Sequence, residues 1–262
     1  MIEMWLSYFG VGIAGGILAG LYGIGGGMVI VPSLMAVFAV QQVSPEVAMH
    51  LAVGTSLATI SITGISSTWG HVRRGSVRRD WLMALLPGLV IGAVLGVFVA
   101  GALSGGRLGM LFGIFLLLVA MRLVLGRSTP ANRTSPSSPK MITAGAVIGS
   151  VSALFGIGGG TLNVPWLLRC GASMTQAVGT SAACGLPIAV VGAVTFIITG
   201  WGNAQLPPGA IGFVMLPAFI GIVVTSVPSA RVGVMLAHRL PSRVLKLSFA
   251  VLLTVVGLGF LI

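Results

Sequence analysis

A succession of apolar segments, most of them about as long as a bilayer is thick or shorter, constrains this chain more than any other feature. They fall at 4–22, 28–40, 47–69, 81–103 and 107–125, and again at 141–155, 161–168, 173–200, 209–230 and 244–262. A hydrocarbon core is ~30 Å thick and takes ~20 apolar residues of helix to cross. The two-residue alternation of a membrane barrel is missing. Charged residues make up only 6% of the chain and hydrophobic ones 56%, whereas roughly a quarter of a soluble domain is charged. Most of the surface must therefore face lipid, and the expected fold class is an all-α polytopic membrane protein.

The two sets of segments repeat each other. "GILAGLYGIGGGMVIVPSL" in the first answers "GSVSALFGIGGGTLNVPWL" in the second, pairing Gly23 with Gly156, Gly27 with Gly160 and Pro32 with Pro165. "AVGTS" at 52–56 returns at 177–181, and Pro87 and Pro217 are read as heading corresponding Gly-rich segments. Between the sets lies "GRSTPANRTSPSSPK", with the composition of a solvated linker. The expected organisation is a first transmembrane repeat over 1–125, a cytoplasmic linker over 126–140 and a second repeat over 141–262.

Charge placement decides how the repeats are related. If each glycine-rich element crosses straight through, the basic residues divide eight to six between the two sides. If 4–40 and 141–168 instead enter and return as hairpins, each half makes three further crossings. Thirteen of the fourteen basic residues then share one side and only Arg107 lies across. The positive-inside rule selects the second arrangement. It predicts two inverted structural repeats, each a glycine-broken helical hairpin plus three transmembrane helices, with both termini outside the cytoplasm. The basic loops 71–80, 122–140 and 231–246 are then cytoplasmic. The limbs 28–40 and 161–168, about 20 Å and 12 Å long at 1.5 Å per residue, end inside the membrane and carry their glycine breaks to depth.

Irregular backbone at that depth is tolerated only where it is buried in protein or lines a polar cavity. A glycine break aims several amides at one point, and the helix that follows adds the positive end of its dipole. Two interrupted segments in corresponding places point to a transporter's binding site. Gly25, Gly26 and Gly27 of the first copy and Gly158, Gly159 and Gly160 of the second are the expected amide donors to an anion. Thr55, Ser56, Thr180 and Ser181 of the AVGTS pair are the candidate hydroxyl donors, although such groups in membrane helices also bond back to the i−4 carbonyl or across helices. His50 admits two readings, an anion donor or proton sensor and a structural histidine near the interface. Asn163 stands where the first copy has Ile30, which makes one site polar where the other is aliphatic. Trp69, Trp81 and Trp201 read as interfacial anchors, and Cys170 and Cys184 as small core residues.

Several function classes fall away. The acids are Glu3, Glu46 and Asp80 alone, all near segment ends, which argues against a carboxylate proton relay in the membrane core. Neither a Walker lysine nor G-x-G-x-x-G accompanies the glycines, and no Ser/His/Asp constellation or metal cluster suggests catalysis. The net charge of +11 sits in short clusters between segments, a pattern of topology determinants and not of nucleic-acid binding. No enzyme activity, cofactor, metal or nucleic-acid partner is expected.

Duplicated GIGGG-x₃-VP elements, each followed by an A-x-GTS helix, resemble the sulfite exporter TauE/SafE family, also called the toluene sulfonate uptake permeases. The resemblance spans essentially the whole chain. It implies a bacterial inner-membrane secondary transporter of small sulfur-containing anions such as sulfite, sulfoacetate and other organosulfonates, working by alternating access. An anion channel or facilitator of the same architecture is the other reading. The stretch Thr161-Leu162-Asn163 departs from the run of aliphatic residues usual after this motif.

Overall fold

The computed structural model describes residues 2–22, 26–125, 138–239 and 241–262. Among them the chain forms ten helices: α1 (Ile2–Tyr22), α2 (Gly27–Val40), α3 (Pro45–Arg73), α4 (Arg79–Gly101), α5 (Gly105–Leu125), α6 (Ser138–Leu154), α7 (Gly160–Arg169), α8 (Met174–Thr199), α9 (Leu216–Arg239) and α10 (Ser242–Gly259). A two-residue hairpin, β1 (Ala210–Ile211) with β2 (Val214–Met215), precedes α9. Six helices, α1, α3, α4, α5, α8 and α9, hold a stretch long and apolar enough to cross a membrane. Most of the expected linker, 126–137, lies outside the described residues.

Helix ends fall where local chemistry places them. Pro45 opens α3 at its first position, where its missing amide costs nothing. Ser173 and Gln176 form a capping box at the start of α8, which satisfies two otherwise orphaned amides. Pro217 is the second residue of α9, whereas Pro87 lies well inside α4. These prolines are therefore not equivalent, and the positions that head the two helices are Arg78 and Met215.

Contacts between helices fix their directions. Gly54 packs on Phe196 and Phe213, Gly64 packs on Leu186, and Thr68 donates to the Ala182 carbonyl at 3.2 Å. So α3 and α8 run antiparallel. α5 and α10 also run antiparallel, with Gly113 against Gly257 and Gly109 against Phe260. α1 lies parallel to α9, Gly12 meeting Ile222 and Gly16 meeting Ser226, and α4 lies parallel to α6, Gly145 meeting Leu85 and Gly149 meeting Leu89. In these last two pairs glycine lets backbones approach closely, the means by which membrane helices gain dispersion contacts without a hydrophobic driving force.

α1 and α2 fold back on each other: the Tyr8 hydroxyl near the start of α1 donates to Gln41 Oε1, just past α2, at 2.8 Å. α2 and α7, of 14 and 10 residues, span about 21 Å and 15 Å, so each stops short of a full crossing. The end of the molecule where α3 finishes carries Arg73, Arg74, Arg78 and Arg79, with Arg122, Lys140, Arg169 and Arg231 toward it. Arg107, at the start of α5, marks the opposite end, since Gly105 packs on Pro45 and Glu46 where α3 begins. Trp69 and Trp201 are exposed, in keeping with interfacial anchors, but Trp81 is buried with the Arg78 guanidinium over its ring. Cys170 and Cys184 are both buried.

Candidate functional site

The two broken elements share one geometry. The amides of Val29 and Ile30 both donate to the Gly26 carbonyl, and those of Leu162 and Asn163 both donate to the Gly159 carbonyl. The preceding amides, of Gly27 and Met28 in one copy and Gly160 and Thr161 in the other, open their helices and so have no intrahelical acceptor. Gly159, at φ +75°, holds a conformation that a side chain would strain. Gly23, Ile24 and Gly25 lie outside the described residues, so the expectation for Gly25 falls there too.

The breaks meet. A Cβ added to Gly27 would strike the Gly156 carbonyl oxygen, so only glycine permits the approach. Ser56 donates to that same oxygen at 2.8 Å, tying α3 to the second break.

Beside this junction lies a cavity of about 630 Å³. Gly26 and Gly158 line it from the two breaks, Gly160 from the first turn of α7 and Ser181 from α8. Its wall on α3 is Thr63, Gly64, Ser66, Ser67 and His71, and on α9 Ser226, Ala230 and Arg231. These are the last turns of α3 and the first turns of α8, so the cavity lies toward the basic end. α3 reports the same asymmetry: Val47 to Ile60 is buried throughout, while Ser61 to Arg73 is not. Ser181 and Ser226 have hydroxyls that are buried and without a partner. Among the described residues no carboxylate lines the cavity.

The α3 and α9 polar residues were missed from sequence. The signal for the first was present: "TGISSTWGH" (63–71) is hydroxyl-rich inside an otherwise apolar segment. Ser226 and Arg231 carried no motif and enter the cavity only through the packing of α9 on α1.

The remaining candidates lie elsewhere. Thr55 and Thr180 are buried and occupy matched positions away from the cavity. Thr55 Oγ1 accepts from the Met215 amide and Thr180 Oγ1 from the Arg78 amide, both at 2.9 Å. Each hydroxyl thus secures the start of a helix, α9 or α4, in the other half of the chain. His50 is 5% exposed, and its ring nitrogens lie 3.2 Å from the Glu46 carbonyl and 3.0 Å from that of Ala100. It joins the start of α3 to the end of α4 near the Arg107 end. Asn163 is fully buried with neither amide atom partnered, next to Gly159. Among groups outside the spanning helices, Arg78 is held protonated even more firmly than usual by its hydrogen bonds to the Asp80 carboxylate.

The family model described as "Sulfite exporter TauE/SafE" matches residues 8–260. A Haemophilus influenzae protein named "Probable membrane transporter protein" is 36% identical over 251 residues, covering 95% of each chain. The Bacillus subtilis protein named "Probable membrane transporter protein YunE" is 31% identical over 224 residues, 76% of this chain and 82% of that one. A similarly named Methanocaldococcus jannaschii protein is 29% identical over 258 residues, 96% of this chain and 93% of that one. No solved structure matches the chain.

Proposed function

The chain belongs to the sulfite exporter TauE/SafE family of membrane transporters, and from that premise we propose that it carries small sulfur oxyanions or organosulfonates, sulfite and sulfoacetate among them, by alternating access. The observation that carries this reading is one cavity touched by both glycine breaks, furnished with hydroxyls and a guanidinium and, among the described residues, free of carboxylates. The substrate contacts are Gly26, Gly158 and Ser181, joined by Thr63, Ser66, Ser67 and Ser226. Hydroxyl and amide donors recognise a sulfonate without an unpaired arginine at the binding centre, which suits a ligand that must also leave. Arg231, exposed at the cavity wall, raises the local anion concentration.

In this reading residues 1–125 and 141–262 are inverted repeats joined by a cytoplasmic linker at 126–140. The antiparallel courses of α3 with α8 and of α5 with α10 support it, because each of these pairs joins equivalent helices. The exchanged parallel pairs, α1 with α9 and α4 with α6, support it as well. The basic end faces the cytoplasm of a bacterial inner membrane, so the cavity is the inward-open one.

Purified protein in proteoliposomes tests the function. A carrier gives saturable flux of sulfite or sulfoacetate and counterflow of labelled substrate, and a substrate raises the thermal midpoint of the folded protein. Absence of both effects for sulfite, thiosulfate, sulfate, taurine and sulfoacetate overturns the substrate class, and ohmic currents without counterflow overturn the carrier.

A further inference from the structure

The doubled GIGGG element and the matched Thr55 and Thr180 contacts give a residue-level equivalence between the two halves, and it exposes a difference. Around Gly26 stand Ala19 and Ile30, both facing the cavity. Around Gly159, at the equivalent places, stand Ser152 and Asn163. Ser152 is 1% exposed and Asn163 0%, and the serine hydroxyl, the amide nitrogen and the amide oxygen all have no partner. An orphaned buried amide and hydroxyl each cost the folded state free energy, so this pair calls for an explanation that packing does not supply.

The surroundings give one. The open cavity's wall of Thr63, Gly64, Ser226 and Ala230 corresponds to Ile188, Ala189, Leu89 and Ala93, every one fully buried. Ser152 and Asn163 thus lie at the floor of a region that is packed shut here and is the counterpart of the open cavity. α7 runs from its break toward the basic end, so its free first-turn amides and positive pole face the opposite way, toward this closed region.

We infer that Ser152 and Asn163, with the first-turn amides of Gly160 and Thr161, form a second anion half-site, for a sulfonate or sulfite group, which opens to the Arg107 end when the cavity at the basic end closes. This rests on the transport reading above and adds to it the residues and the state of the other half-cycle. The donors offered are the Asn163 Nδ2–H₂, the Ser152 hydroxyl and backbone N–H groups, a set that matches an oxyanion.

The test uses full-length protein with Cys170 and Cys184 replaced by alanine, in oriented vesicles. Ser152→Cys is expected to react with a membrane-impermeant thiosulfonate reagent from the Arg107 end, despite its burial here, and saturating sulfoacetate is expected to slow the reaction about tenfold. Ala19→Cys is expected to react from the basic end. The Ser152→Ala/Asn163→Ile variant, which copies the first half, is expected to bind sulfoacetate about tenfold more weakly while its thermal midpoint rises, since two orphaned groups are gone. A purely structural role would lower that midpoint instead. Ser152→Cys that is unreactive, reacts only from the basic end, or is not protected by sulfoacetate overturns the half-site. An Ala19→Cys that stays unreactive from the basic end overturns the cavity reading beneath it.

Discussion

The Thr180 hydroxyl in the second half of the chain accepts the backbone amide of Arg78 in the first, at 2.9 Å. Thr55 does the same for Met215 in the opposite direction. Each half therefore holds down the residue just before a long helix belonging to the other. Thr55→Val keeps shape but orphans a buried amide and is expected to destabilise the protein by ~1–3 kcal/mol; Thr180→Val orphans a part-buried amide and is expected to cost less. Thr→Ser at either place restores most of the loss. The readout is the thermal midpoint in detergent, with affinity for the proposed anionic substrate unchanged.

Gly27 touches the other break so closely that no side chain fits between it and the Gly156 carbonyl. Gly27→Ala is expected to abolish flux and to lower the yield of folded protein. Gly70, which has open space around its α-carbon, accepts alanine without loss. Expression, size-exclusion profile and flux of the two variants side by side check the contrast.

Arg231 is exposed where α9 borders the cavity. Removing its charge with Arg231→Gln is expected to raise the half-saturation concentration severalfold for anions entering from the basic end. The maximal rate changes little. Because the effect is steering of an approaching charge, it shrinks as rising ionic strength shortens the Debye length below about 8 Å. Flux measured at low and high salt separates steering from a direct contact.

His50 spans two carbonyl oxygens, one on its own helix and one at the end of α4. His50→Ala is expected to lower the thermal midpoint by loosening that junction, and to leave the pH profile of flux as it was. A profile that flattens in the variant would identify His50 as a proton carrier.

The order of segments, the doubling of GIGGG and AVGTS, and the one-sided distribution of arginine were all legible along the chain. They follow from local rules: apolar length sets helix length, glycine interrupts it, and basic residues stay out of the hydrocarbon. Even the meeting of the two breaks was foreshadowed, since backbone freed at depth must be covered by protein. The roles of individual polar side chains were not legible in this way. Thr55, Thr180 and Ser181 occur in the same five-residue motif, yet the two threonines accept helix-start amides and the serine borders the cavity. A helix turns its residues through every direction, and only the neighbours placed by α4, α8 and α9 decide which direction is a cavity and which is a contact. Asn163 was visible as an odd residue, but its partner in oddity, Ser152, was not. The sequence by itself determined a membrane chain of two similar halves with paired breaks. The tertiary structure decided that one side of those breaks is open and the other packed closed, because similar backbone elements meet different side chains when they cross into the opposite half.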